Sequence, residues 1–296
     1  MRLSEFISTL IAVIPFVANL HGQTSLPQGA EFPTTLPQQP AGMKWVANET
    51  FTDEFGGDQL DETKWYDHNP LWKGRAPGKF MPSSVSVKDD CLQIKSTKLD
   101  PPDGEFTIAC GAIQSKSREA HYGFYECRVK ASQITTSTTF WLKNDTRGMK
   151  RPFFSTELDI LECIGGAKRW ARFSDHMNSN THVTLMSENK EEKPPKVSLG
   201  AHAKINGTVS DGFHTYGCWW IDPRTLKFYL DGKEVYTIEP PTELTNEPFS
   251  QPMLINLVCE TYNWETPPSP ADLADDSRNT TYYDYVRAFK LVPASE

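Results

Sequence analysis

The chain has 296 residues, of which 38% are hydrophobic and 11% aromatic, and a formal net charge of −8. That length and composition suffice for one sizeable core, and β-rich single domains often reach 200–250 residues. The negative charge argues against nucleic acid or an anionic membrane surface as a partner, but it does not exclude an anionic sugar held by local cations.

The first residues are typical of a targeting segment. Arg2 precedes an apolar run from about Phe6 to Ala18, which predicts a secretory signal rather than a core strand. The run is shorter than the roughly 20 residues of a membrane span, so we expect no membrane insertion. We therefore predict a signal peptide over 1–22, a Pro- and Gln-rich linker over 23–42 and one catalytic domain over 43–296. The protein is then secreted, to the medium, the periplasm or the cell surface.

Short alternating runs follow the linker. Ser84 to Val87, Leu92 to Lys95 and Tyr125 to Val129 alternate polar with apolar residues, and Gly, Pro, Asn and Asp separate such runs. Long amphipathic helices are not evident. The pattern predicts an all-β sandwich of two antiparallel sheets.

Three carboxylates lie within six residues in the middle of the chain, in the run Glu157-Leu158-Asp159-Ile160-Leu161-Glu162. In a regular strand, Glu157 and Asp159 would share one face and Glu162 would point to the other. A buried, unpaired carboxylate costs several kcal/mol, roughly. A β-bulge near Ile160 and Leu161 would instead turn all three acids to one side. Paired carboxylates about 5 to 5.5 Å apart are the equipment of a retaining glycosidase.

This acidic run resembles the bulged catalytic motif of glycoside hydrolase family 16, the jelly-roll enzymes that include agarases, porphyranases, κ-carrageenases and laminarinases. Other segments resemble strands of that family in the same order, from roughly Gly42 to Val292. They are Phe51 to Phe55, resembling its first strand, then Gly123 to Lys130, Thr139 to Leu142, Phe213 to Gly217, Leu226 to Gly232 and Tyr283 to Arg287. The resemblance implies a β-jelly roll with a concave substrate cleft. It also implies that Glu157 is the nucleophile, Asp159 the assisting acid and Glu162 the general acid and base.

The loop Trp72-Lys73-Gly74-Arg75 resembles the N-terminal loop that agarases and porphyranases place over the sugar. An Arg fork can grip a sulfate through two hydrogen bonds while an aromatic face stacks on a sugar ring. We predict that Trp72 and Arg75 bind substrate. The alternative is a surface loop with Trp72 folded back onto the sheet.

Four further residues are substrate-binding candidates. Trp141 stands one strand before the acids with little other bulk around it, although core packing is the alternative. His182 resembles the family histidine that reaches the sugar beside the nucleophile, and a purely structural histidine is its alternative. Glu260 and Trp264 resemble an agarase strand and loop on the positive-subsite side, and we rank them second.

Metal and sulfur chemistry are weakly indicated. No cofactor is required, but family members often carry a structural calcium, for which Glu54 or Asp53 with Asp284 can supply oxygens. The six cysteines have no zinc spacing, and we expect most to be buried free thiols, with one or two disulfides at most. They are Cys91, Cys110, Cys127, Cys163, Cys218 and Cys259.

The sequence thus predicts a secreted, monomeric, retaining endo-hydrolase of a β-linked red-algal galactan, either porphyran or agarose. A κ-carrageenase or β-1,3-glucanase of the same family is the alternative within the enzymes. A jelly roll that binds sugar without cleaving it is the alternative outside them, although all three acids are present.

Overall fold

The computed structural model describes residues 36–295, and the predicted signal peptide therefore lies outside the described residues. These residues form an almost entirely β structure. The helices are short: Pro82–Ser84 is a 3-10 turn, α1 is Arg172–Asp175 and α2 is Pro270–Ala274. The strands are β1 Met43–Ala47, β2 Trp65–Tyr66, β3 Gly78–Phe80, β4 Val85–Lys88, β5 Cys91–Lys95, β6 Thr97–Asp103, β7 Phe106–Ser115, β8 Gly123–Lys130, β9 Thr138–Asn144, β10 Phe153–Cys163, β11 His176–Met186, β12 Lys196–Lys204, β13 His214–Asp222, β14 Thr225–Leu230, β15 Lys233–Ile238, β16 Met253–Cys259 and β17 Thr280–Pro293.

The strands form two sheets. The first sheet has the order β15-β14-β13-β8-β17-β5-β4, with β1 beside β17. The second has the order β12-β11-β10-β9-β16-β7-β2, with β3 and β6 also paired to β7. Apart from the parallel pair of β3 and β7, the strand pairs are antiparallel. The predicted jelly-roll sandwich is confirmed.

The main core lies between the two sheets. Phe140 of β9 and Leu158 and Ile160 of β10 are fully buried there, and Trp220 and Phe228 of the first sheet belong to the same cluster. A smaller apolar cluster around Phe80 and Ile108 includes the half-buried Trp72 and Trp141. Alternation along each strand sends one set of side chains inward and leaves the other set for the sheet's outer face.

The segment Phe51 to Phe55 was expected to be a strand, and this expectation was wrong. Only one bridge forms there, between Asp53 and Val286. Phe55 takes a positive φ of 47°, and the backbone N–H of Phe55 donates to the Asp53 carboxylate at 2.8 Å. The local turn replaces strand pairing because it lets both Phe51 and Phe55 enter the core.

Two other features bear on the sequence predictions. The indole N–H of Trp45 donates to the carbonyl of Pro37 at 2.7 Å, so the end of the predicted linker contacts the folded domain. All six cysteines are free thiols, five of them buried and Cys91 half-buried, so the one or two disulfides allowed by the sequence do not form. Within 36–295, no helix is long and apolar enough to cross a membrane.

Candidate active site

The register of β10 places its three carboxylates on one face. Glu157 lies opposite His182, Asp159 opposite Asn180 and Glu162 opposite Asn178. These partners are alternate residues of β11 and therefore share a face, whereas β10 uses one residue more over the same length. The register shifts between Asp159 and Leu161 against β9 as well. The predicted bulge is confirmed.

A cavity of about 420 Å³ lies over this face of the second sheet. The three acids of β10 line it, together with Trp141 of β9 and the loop that carries Trp72 and Arg75. Leu158 and Ile160, between the acids, are fully buried on the opposite side. The bulge thus separates the core from the carboxylates within a single strand.

Glu157 is held as an anion by Lys143. The Lys143 ammonium donates to Glu157 Oε2 at 2.6 Å from the neighbouring strand β9, where the two residues are direct partners. Burial by itself would raise the pKa of Glu157, but the charge and hydrogen bond of Lys143 outweigh it and hold the pKa below its usual value. An ionised carboxylate is the form that a nucleophile requires.

Asp159 is the most deeply placed of the three acids. Burial, and then the charge of Glu157, raise its pKa well above the usual value. His182 Nε2 lies 3.3 Å from Asp159 Oδ2, and His182 Nδ1 lies 2.6 Å from Ser198 Oγ. Burial, and then Lys196, lower the pKa of His182, which favours its neutral form.

The pKa of Glu162 is shifted in the opposite direction from that of Glu157. Burial and the neighbouring Asp159 raise its pKa to about 7, although the phenol of Tyr262 opposes this by donating to Glu162 Oε1 at 3.0 Å. Two carboxyl groups on one strand therefore differ in protonation near neutrality, with Glu157 ionised and Glu162 able to donate a proton. That separation is what assigns acid and nucleophile in a glycosidase.

The 72–75 loop brings an arginine against aromatic rings. The Arg75 guanidinium carbon lies 5.2 Å from the ring centre of Tyr262 and 5.9 Å from that of Trp72. Arg75 Nε donates to Glu260 Oε2 at 3.1 Å. Burial raises the pKa of Glu260 to about 8, against the effect of Arg75, so this carboxyl is largely protonated at pH 7 and leaves the arginine charge available.

The remaining predicted residues occupy different positions. Trp141 lies opposite Asp159 and lines the cavity while also packing on the smaller cluster. It therefore agrees both with the predicted sugar contact and with the core-packing alternative. Trp72 likewise lines the cavity and packs edge-on against Phe80, with ring centres 4.9 Å apart. Trp264 does not line the cavity, because it stacks behind Tyr262 at 4.6 Å.

Sequence reasoning missed Lys143 and Tyr262. Lys143 becomes informative only once the β9–β10 register is known, because that register sets it beside Glu157. Tyr262 lies between Glu260 and Trp264, two predicted substrate-binding residues, so its phenol could have been recognised from the sequence as a hydrogen-bond donor to the site. A buried amide group was also missed: Gln114 Nε2 donates to Asn256 Oδ1 at 2.9 Å, while Gln114 Oε1 has no partner in residues 36–295.

The acids do not favour a metal. Glu54 accepts two hydrogen bonds from Arg287, at 2.8 and 2.9 Å, and Asp284 accepts one from Arg128 at 2.5 Å. These arginines engage both oxygens of Glu54 and one oxygen of Asp284, and the calcium site stays a prediction. Within the described chain, Glu157, Asp159 and His182 alone bring three possible ligand atoms within 4.8 Å of one another. The Lys143 ammonium on Glu157 favours proton chemistry there instead.

Comparison with known proteins agrees with this geometry. A family model described as "Beta-porphyranase A-D, GH16 domain" matches residues 45–291. Beta-porphyranase E of Zobellia galactanivorans is 47% identical over 258 residues, covering 87% of this chain and 92% of the relative. An extracellular agarase of Streptomyces coelicolor is 26% identical over 286 residues, covering 87% of each chain. The crystal structure of a β-porphyranase from the human gut bacterium Bacteroides plebeius superposes with a TM-score of 0.80 at 42% identity, covering 88% of this chain and 97% of that one.

Proposed function

The chain belongs to glycoside hydrolase family 16, and we propose that it is a secreted, retaining endo-hydrolase of red-algal galactan, of the β-porphyranase type. The observation that carries the proposal is the bulged strand β10, which sets an ionised Glu157 and a protonated Glu162 on one face of a sugar-sized cleft. The similarity to a β-porphyranase at 47% identity, against 26% for an agarase, favours a sulfated substrate.

In the first step, the ionised Glu157 attacks the anomeric carbon and forms a glycosyl–enzyme ester. The glycosidic C–O bond breaks as Glu162 gives its proton to the leaving oxygen. Lys143 keeps the nucleophile ionised, and the raised pKa of Asp159 disfavours a second negative charge beside it. His182 holds Asp159 from the other side.

In the second step, the now ionised Glu162 takes a proton from water, and the hydroxide equivalent attacks the anomeric carbon. The ester bond to Glu157 breaks and the carboxylate is restored. Two inversions give net retention of the β-configuration. The hydrogen bond from Tyr262 stabilises Glu162 in the ionised form that exists between the two steps.

We infer that Arg75 reads the sulfate of the galactan. Its guanidinium lies against two rings suited to sugar C–H faces, Trp72 and Tyr262. Only Nε is hydrogen-bonded to Glu260, and the raised pKa of that carboxyl keeps the site cationic. A planar fork suits the bidentate recognition of an anion.

The first test uses purified protein with porphyran, agarose, κ-carrageenan, laminarin and lichenan, and measures new reducing ends. We expect cleavage of porphyran or agarose. Glu157→Gln and Glu162→Gln should each lower turnover by orders of magnitude, Asp159→Asn should lower it less, and the exposed Glu243→Gln serves as the matched control. NMR of the fresh product should show retained β-configuration, and an inverted product would refute the assignment.

The same panel separates the alternatives. Cleavage of κ-carrageenan or laminarin alone would place the chain among the other activities of the family. Binding without cleavage by correctly folded protein would favour a sugar-binding jelly roll. Gel filtration tests the monomeric state, and secretion of a reporter fused to residues 1–22 tests export.

Arg75→Ala tests the sulfate contact. We expect it to weaken action on sulfated polymer by about 1.5 to 3 kcal/mol, the scale of a charged hydrogen bond, and to leave neutral polymer nearly unaffected. Arg75→Lys keeps the charge but loses the planar guanidinium, so its activity on sulfated polymer should lie between that of the parent and that of Arg75→Ala. Equal activity of Arg75→Ala and parent on every galactan would remove the chemical support for a sulfated substrate.

A further inference from the structure

The second sheet continues beyond the acids into a polar surface. Because paired residues of an antiparallel sheet share a face, His182 and Ser198 lie on the cleft side with Glu157, and Asn178 and His202 lie there with Glu162. The alternate residues of β12 face the core, where Val197, Ala201 and Ala203 pack. The Trp72 and Arg75 loop lies on the other side of β10, toward β9, β16 and β7. A chain bound across β10 from that loop would therefore continue over β11 and β12.

Five cations lie around this half of the sheet although the whole chain carries −8. Lys196 and Lys204 are exposed at the two ends of the cleft side of β12. The connection from β10 to β11 adds three cations in five residues, Lys168, Arg169 and Arg172. Three acids face this group. Asp175 lies 2.6 Å from His176 Nδ1 and 3.7 Å from Lys204 Nζ, Asp272 lies 3.9 Å from Lys168 Nζ, and Glu265 lies against the backbone of Lys168 and Arg169.

Trp170, in the middle of that basic loop, is 58% exposed and is the most exposed large hydrophobic side chain in residues 36–295. The loop is fixed in place, because the backbone N–H groups of Lys168 and Arg169 both donate to the buried carboxylate of Glu265, at 3.1 and 3.0 Å. It also joins the active site through aromatic contacts: Phe173 lies tilted 4.9 Å from Trp264, which stacks on Tyr262.

Two details of the floor fit a ligand with hydroxyl groups. Asn178 Oδ1 is buried and accepts no hydrogen bond from residues 36–295, while its Nδ2 donates to the carbonyls of Glu162 and His176. A buried acceptor without a partner costs about 1 to 3 kcal/mol unless something satisfies it. Gly200 keeps the floor low beside it, since a side chain there would begin 3.0 Å from the carbonyl oxygen of Ser179.

We propose that the surface formed by β11, β12 and the 168–172 loop binds a second sulfated segment of the galactan, with Trp170 as the sugar platform and Arg172 and Lys204 as the sulfate contacts. The inference rests on the proposed function and assigns the far half of the same cleft. Arg75 and Arg172 then read sulfates on two different segments of the bound galactan. The exposed position of these cations predicts that the contribution of this half falls as salt increases.

The test measures binding without cleavage. Glu157→Gln protein and its double variants with Trp170→Ala, Trp170→Phe, Arg172→Ala or Arg224→Ala are run through gels containing sulfated porphyran or neutral agarose, at low and physiological salt. Arg224 is the matched control, since it is exposed in the turn between β13 and β14 of the other sheet. Thermal unfolding shows that each variant is folded.

We expect Trp170→Ala to lower the affinity for both polymers about two- to tenfold, the range of an aromatic contact. Trp170→Phe should keep most of the parent affinity. Arg172→Ala should weaken it about two- to fivefold on porphyran at low salt and hardly at all on agarose. Retention of both alanine variants equal to that of Arg224→Ala would overturn the inference while the unaltered enzyme still cleaves porphyran. Failure of the unaltered enzyme to cleave or bind any galactan would instead overturn the proposed function as well.

Discussion

The hydrogen bond from Tyr262 to Glu162 makes a specific prediction about the pH dependence of turnover. Tyr262→Phe removes the phenol oxygen but keeps the ring that stacks on Trp264 at 4.6 Å and lies under Arg75. The phenol stabilises the ionised form of Glu162, whose pKa is already raised to about 7 by burial and Asp159. Losing the donor therefore raises this pKa further.

The size of the shift follows from the contact. A hydrogen bond to a charged group is worth about 1.5 to 3 kcal/mol, and one pKa unit corresponds to about 1.36 kcal/mol. The bond therefore sets an upper limit of about one to two units, and we expect about one, because the protonated carboxyl also interacts with the phenol. Glu162 must be protonated to act as the acid, so the alkaline limb of kcat/KM against pH should move to higher pH.

The measurement is a pH profile of kcat/KM on a soluble galactan oligosaccharide. Tyr229→Phe is the control, since its phenol contacts Glu234 on the other sheet at 3.4 Å. An alkaline limb that stays in place, or moves to lower pH, in Tyr262→Phe would refute the reasoning that links this phenol to the acid.

Two further predictions concern the nucleophile and the thiols. Lys143→Met removes the cation that holds the pKa of Glu157 down, so the acid limb of the same profile should move to higher pH, and an unchanged acid limb would exclude this role. A thiol reagent should label at most one cysteine of the native protein, slowly, because burial raises the pKa of the half-buried Cys91 to about 11 and the other five are buried; after unfolding in guanidinium it should label all six. Rapid labelling of two or more native thiols would contradict the described packing.

Local pattern was sufficient for the all-β sandwich and for the bulge, whereas the jelly roll and the roles of the acids followed from the family resemblance. Alternation predicted the strands around Leu92 and Tyr125, and the spacing of Glu157, Asp159 and Glu162 predicted a bulge, because a regular strand would have buried one carboxylate. These inferences need only the two-residue period of a strand. The turn at Phe55 was not predicted because a positive φ at phenylalanine has no simple signature in the sequence.

The rest of the site depends on residues far apart in the chain. Lys143 reaches Glu157 through strand register, Tyr262 reaches Glu162 across 100 positions, and Arg75 meets Glu260 across 185. No periodicity specifies such pairs. For the same reason, the sequence did not indicate that the carboxyl of Glu260 would lie beside Arg75.

Strand β12 ends the second sheet, and within residues 36–295 no strand pairs with its outer edge of nine residues, the kind of edge on which separate chains add to one another. Two copies pairing antiparallel about Gly200 would set Lys196 of each against Lys204 of the other. Two pairs of like charges would then face each other directly, which opposes the pairing. Lys196 and Lys204 thus also oppose edge-to-edge aggregation, and a variant that neutralises both should self-associate more readily.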